Sequence, residues 1–105
     1  HNVSVDLMGP YPTTNKNQSN ILVVTDVFTK WTEAFPIGDA KAPNIIRIIE
    51  KEVFYRFGYP SVILTDNGPQ FTGARWTRAC KRWGTTPMYT GVYHPRANPV
   101  ERRNQ

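Results

Sequence analysis

Val3, Val5 and Leu7 alternate with Ser4 and Asp6, a period of two that predicts a strand ending near Gly9 and Pro10. Asp6 then points away from the apolar row. The polar stretch YPTTNKNQSN reads as a loop, and ILVVTDVF (residues 21–28), rich in β-branched positions, as a buried strand. WTEAFPI supplies a third strand, close enough in sequence for an antiparallel meander. After Asp39 the period changes. Ile45, Ile46, Ile48, Ile49, Val53, Phe54 and Phe57 recur at helical spacing, while Arg47, Glu50, Lys51 and Glu52 take the opposite face. Gly58 and Pro60 end that helix. SVILT (residues 61–65) is then a strand reached through a helical crossover, which implies parallel pairing in the same sheet. Trp76, Ala79, Cys80 and Trp83 fall at i, i+3, i+4 and i+7, predicting a second amphipathic helix over residues 74–83, with Arg75, Arg78 and Arg82 along its other side. A short fifth strand over residues 86–89 precedes the loop TGVYHPRANP, and a third helix begins as the chain ends. The expected fold is α/β: a mixed five-stranded sheet, three strands antiparallel and the rest parallel, with flanking helices.

The stretch ILTDNGPQFTG joins an apolar run to an Asp-Asn-Gly turn. Such turns are strong hairpin signals, but here a helical pattern follows, with no strand to pair back. Asp66 therefore sits at the carboxyl end of a strand, the edge where open α/β sheets bind ligands. An Asx turn ahead of a helix accounts for the same residue without chemistry. Glu101 carries a similar ambiguity. In ANPVER, Asn98 as N-cap, Pro99 as first helical residue and Glu101 as third make a capping box. The same helix start also keeps a carboxylate ionised, the state a hard metal needs. Asp26 competes with Asp6, since both are acids in strand-like runs, but Asp26 can simply begin the turn in TDVFTK.

The 105 residues suit a single domain, and a start at His1 with an end at Gln105 suggests a piece of a longer polypeptide. One cysteine allows no internal disulfide, and Cys80 with His1 and His94 has neither the number nor the spacing of a zinc site. No apolar run approaches the roughly 20 residues of a membrane span, and no signal peptide opens the chain, so it reads as soluble and intracellular. The net charge of +5 is unevenly placed. Residues 1–65 hold six Lys/Arg and six Asp/Glu, whereas residues 66–105 hold seven basic residues and only Asp66 and Glu101 as acids. That asymmetry favours a polyanionic partner, though a solvated basic face has the same composition.

Taken together, these motifs resemble the catalytic core of retroviral and Gypsy-type LTR-retrotransposon integrases, over nearly the whole chain. VSVDLMGPYP is similar to that family's first-Asp strand with its trailing Gly-Pro, and ILVVTDVFTKWTEAFPI to the two strands after it. FGYPSVILTDNGPQFTG resembles the second-Asp motif, and YHPRANPVERRNQ the segment bearing the catalytic Glu. The resemblance implies a ribonuclease H-like fold, truncated at its carboxyl end, in which residues 1–105 are a fragment of the catalytic core. It also implies that Asp6, Asp66 and Glu101 form the acidic triad, and that Asp26 lies outside it. The 34 residues between Asp66 and Glu101 are slightly fewer than the family usually has, and the difference falls in RANPV, where loop length varies.

Carboxylates converging at one edge repel, and divalent cations reverse that sign. The resemblance implies two Mg²⁺ ions, with Mn²⁺ as a substitute, held by Asp6, Asp66 and Glu101 about 3.5–4 Å apart across a phosphate. The implied reactions are 3′-end processing of element DNA and strand transfer into target DNA, in-line displacements with no covalent enzyme intermediate. Tyr93, His94 and Arg96, in the loop before Glu101, match positions that contact DNA, although ordinary loop chemistry explains them too. Arg102 and Arg103 are further candidates for phosphate, only one of which can face the site from a helix. The stripe of Arg75, Arg78 and Arg82 is a solvated face, a dimer contact or a DNA groove. Trp76 and Trp83 read as core. The partners implied are double-stranded DNA and further copies of the full-length protein, and the place of action is the nucleus. A catalytically inert remnant that binds nucleic acid or protein is the competing reading.

Overall fold

The computed structural model describes residues 1–12 and 18–90. Val3 and Val5 are buried while Asp6 is exposed, so the alternation along β1 (Asn2–Pro12) sorts its side chains between a packed face and an open one. β1 pairs antiparallel with β2 (Gln18–Asp26), placing Val5 opposite Val24 and Leu7 opposite Leu22. β2 pairs antiparallel with β3 (Thr32–Ile37). The crossover then returns the chain to the other edge of β1, where β4 (Val62–Thr65) and β5 (Thr86–Tyr89) add in parallel. The strand order is β3-β2-β1-β4-β5, the mixed sheet expected from the sequence.

Three boundaries differ from expectation, each for a local reason. The supposed loop YPTTNKNQSN contributes to both flanking strands, since Tyr11 pairs with Ser19 and Pro12 with Gln18. Ladder bonds join backbone groups, so a hairpin can extend past the core with polar side chains. β2 stops at Asp26 and not at Phe28, because Asp26 Oδ1 accepts the N–H of Phe28 at 2.9 Å and of Thr29 at 3.2 Å. The carboxylate of Asp26 is thereby committed to a turn, the structural role open to it from sequence. A short helix (Pro69–Thr72) also begins directly after the Asp66 turn, where Pro69 supplies a backbone preset for a first helical position.

The crossover helix starts as α1 (Ala42–Ile49), widens into a π-helical turn (Glu50–Phe54) and closes as α2 (Tyr55–Phe57). Ile45, Ile49 and Val53, each four residues apart, are all buried. A spacing of four drifts around an ordinary helix, and a π turn cancels the drift and keeps the row on the sheet. Phe57, placed on the apolar face by its spacing, is instead 52% exposed and sits against Trp31 with ring centroids 4.8 Å apart. Gly58 ends the helix with φ of 90°, a conformation that side chains resist.

α3 (Pro69–Thr72) and α4 (Ala74–Trp83) follow β4. Phe71, Trp76, Ala79, Cys80 and Trp83 all enter the core, joining Leu22, Val24 and Ile63 from the sheet in one cluster. Phe54, Trp83, Trp76 and Phe71 meet edge to face in series, with centroids 4.9, 6.0 and 4.9 Å apart. Such pairs add about 0.5–1.5 kcal/mol each beyond the area they bury. Both tryptophans are core residues, as their spacing predicts. This packing holds the first half of β1 and the carboxyl end of β4 side by side.

Candidate active site

β1 and β4 run parallel with Asn2 beside Val62, Val3 beside Ile63 and Ser4 beside Leu64. Continued two residues past these pairs, the register brings Asp6 level with Asp66, the first residue beyond β4. Both are exposed: Asp66 at the carboxyl end of β4, and Asp6 within β1, two residues past the last one paired with β4. Asp26 lies elsewhere: it pairs with Val3, towards the amino end of β1.

Asp66 is held from both sides. Its Oδ1 accepts the Gly68 N–H at 2.9 Å, and the Gly68 carbonyl accepts the Phe71 N–H at 2.9 Å, which leads the chain into α3. The Asx turn open from sequence is therefore present, but it uses one carboxylate oxygen. Oδ2 has no hydrogen-bond partner among the described residues. A Cβ at Gly68 would push the Gln70 side-chain amide aside and come within 3.1 Å of Asp66 Oδ1. On the other side, the buried Thr65 donates its hydroxyl to the Asp66 carbonyl at 3.0 Å. The Thr65 carbonyl in turn accepts the Thr90 N–H at 2.6 Å. Tyr89 Oη donates to the Phe71 carbonyl at 2.6 Å, tying the end of β5 to α3. Burial pushes the Tyr89 phenol above its ordinary value.

Beside this edge lies a cleft of about 410 Å³, lined by Leu7, Asn20, Gly38, Asp66, Gln70 and Phe71. Asn20 and Gln70 bring amides to it, and Asp66 its carboxylate. Thr65, Gly68, Gln70, Tyr89 and Thr90 thus shape the surroundings of Asp66, a role the sequence did not reveal. The signal for Gly68 was its place two residues after an Asp; for Tyr89 and Thr90 it was only their position at the end of a strand parallel to β4.

Asp6 and Asp66 offer hard oxygen donors, suited to a cation such as Mg²⁺ or Mn²⁺. Neither is engaged in an ion pair among the described residues, and one Asp66 oxygen is already oriented by the Gly68 N–H, as ligating carboxylates commonly are. The pair fits a divalent cation in donor type. Among the described residues no third His, Cys, Asp or Glu joins it to make a cluster of three. Glu101, the third member expected from the sequence, lies outside the described residues, as do Tyr93, His94, Arg96, Arg102 and Arg103.

Residues 2–95 match the family model described as the integrase core domain. The chain is 32% identical over 99 residues to Gypsy retrotransposon integrase-like protein 1 of Bos taurus, a match spanning 94% of this chain and 20% of that protein. It is 36% identical over 86 residues to the Pol polyprotein of Radiation murine leukemia virus (strain Kaplan), spanning 81% of this chain and 15% of that one. The fold is similar to the HTLV-2 integrase catalytic core domain in complex with magnesium, with a TM-score of 0.74 at 19% identity over 86% of this chain and 60% of that one. The chain therefore spans a fifth or less of these two curated relatives.

Proposed function

The chain belongs to the integrase core family, and from that premise we propose that it is part of the catalytic core of a retroelement integrase, a metal-dependent polynucleotidyl transferase acting on DNA. The observation that carries this reading is the parallel register of β1 and β4, which, continued two residues past its last pair, brings Asp6 level with Asp66 at the end of β4, where α/β folds place their chemistry. The proposed reactions are processing of the 3′ ends of element DNA and strand transfer into a target.

Asp6 and Asp66 would be the principal metal ligands, with Glu101 completing the set. A pair of divalent cations held there would supply Lewis-acid polarisation of a phosphodiester and activation of the attacking oxygen. Gly68 and Thr65 fix the orientation of Asp66, so its free oxygen is presented without the entropy cost of ordering a loop at the moment of binding. Tyr89 anchors α3 against β5 and keeps that geometry when DNA docks. Tyr93, His94, Arg96, Arg102 and Arg103 are proposed contacts for DNA. Residues 1–105 are read as a fragment of the core, acting in the nucleus within a homo-oligomer of the full-length protein.

The test is DNA joining by the full-length protein that contains this chain, supplied with Mg²⁺ or Mn²⁺. Asp66→Asn is expected to abolish joining and end processing while keeping the Asx turn, because the Asn side-chain oxygen still accepts the Gly68 N–H. Joining at the wild-type rate by this variant would end the proposal.

A further inference from the structure

Asn67 and Gly68 make the chain's one Asn-Gly pair; every other asparagine is followed by Val, Lys, Gln, Ile or Pro. The amide carbon of an asparagine side chain can close a five-membered ring on the backbone nitrogen of the next residue, which makes asparagine a chemically labile residue. A glycine in the next position puts no Cβ in the way. Asn67 is exposed, so water and solvent base reach it. The Gly68 nitrogen, by contrast, is engaged. Its hydrogen is donated to Asp66 Oδ1 at 2.9 Å, and the Gly68 carbonyl accepts the Phe71 N–H at 2.9 Å at the start of α3. The atom that would attack is thus fixed from both sides, and the proton that ring closure must remove is the one Asp66 holds. The bond that orients Asp66 also restrains its neighbour.

We propose that Asn67–Gly68 is a site of spontaneous deamidation, kept intact in the folded chain by the Asp66–Gly68 hydrogen bond and released when that bond opens. In the first step the Gly68 nitrogen gives its proton to a solvent base and attacks Asn67 Cγ. A nitrogen–carbon bond forms, the Cγ–Nδ2 bond breaks, and the side-chain nitrogen leaves with a proton from solvent as ammonia. Water then opens the ring at either carbonyl, leaving aspartate or isoaspartate at position 67. Water is the only co-reactant, and nothing is oxidised or reduced. Each product acts on Asp66. Aspartate sets a second carboxylate beside it, and like charges at close range repel. Isoaspartate adds a methylene to the main chain ahead of Gly68, which carries its N–H away from Asp66 Oδ1 and undoes the turn. That these changes retire a cation site rests on the proposed function; the chemistry at Asn67 does not.

The experiment is peptide mapping by mass spectrometry of the full chain incubated at mildly alkaline pH in EDTA, with isoaspartate measured separately. In urea, conversion at Asn67 is expected to outpace that at every other asparagine. In the folded wild type it should be slower by about tenfold or more, the weight of a hydrogen bond to a charged group. Asp66→Ala should recover most of the unfolded rate while circular dichroism shows the chain still folded. Asp66→Ser should fall between, since a hydroxyl makes the same turn more weakly. Phe54→Ala, which weakens the core and leaves the Asp66 bond in place, should convert as slowly as wild type below its unfolding transition; this separates the local bond from global stability. Conversion of folded wild type at the urea rate would overturn the proposal, as would folded Asp66→Ala converting no faster than wild type, or Asn67 staying intact in urea. An unreactive Asn67 leaves the catalytic reading standing, and retained joining by Asp66→Asn removes that reading without touching this chemistry.

Discussion

Single residues at the carboxylate edge carry separable duties, and substitution distinguishes them. Gly68→Ala is expected to shift the Asp66 carboxylate by a few tenths of an ångström, because the added Cβ comes within 3.1 Å of its Oδ1. Metal-dependent joining should fall with little change in the far-ultraviolet spectrum. Tyr89→Phe removes the bond to the Phe71 carbonyl and is expected to cost about 0.5–1.5 kcal/mol in urea unfolding. Cys80 is fully buried, and its thiol is pushed up to about 11 by desolvation, from an ordinary value of 9.0. The unfolded chain then releases that proton first, so Cys80 contributes stability below about pH 9 that is lost as the pH rises towards about 11. The melting temperature of a Cys80→Ala variant should fall less steeply over this window than that of wild type. At neutral pH a thiol reagent should modify Cys80 only after denaturation.

Elements were legible in the sequence where one physical signal dominated. The period of two in β1 and the i, i+3, i+4, i+7 row of α4 gave their buried faces correctly, because a one-sided core leaves little choice of side. Strand ends were less legible: backbone pairing carries β1 to Pro12 and β2 back to Gln18 through polar residues. The π turn was also hidden, since Ile45, Ile49 and Val53 fit a helical period closely enough to mask the wider turn. Its consequence is testable. Phe54 is 2% exposed and leads the aromatic series through Trp83, so Phe54→Ala is expected to cost about 3–5 kcal/mol by equilibrium unfolding. Tyr55→Ala, at a residue 68% exposed on the same turn of chain, should change stability by less than about 0.5 kcal/mol.

Across the whole molecule, the topology brings together residues far apart in the chain. Asp66 at the carboxyl end of β4 was legible from the predicted strand and the helix after it, whereas the choice of Asp6 as its companion came only from the resemblance to integrase cores. That Lys41, Arg75 and Arg78 line one groove was not legible, because it depends on how α1 packs on α4, and sequence spacing says nothing of that angle. The ion pair of Arg82 with Glu50 in the π turn has the same origin. Among the described residues no helix is long and apolar enough to cross a membrane. The central claim, that Asp6 and Asp66 act as one cation site, is tested most directly by the melting temperature of the chain with and without Mn²⁺. The cation should stabilise the wild type, since it binds the folded edge and not the dispersed ligands of the unfolded chain. Asp6→Asn and Asp66→Asn should each remove that stabilisation, with no further loss in the double variant. A wild-type response to Mn²⁺ in either single variant would contradict the account.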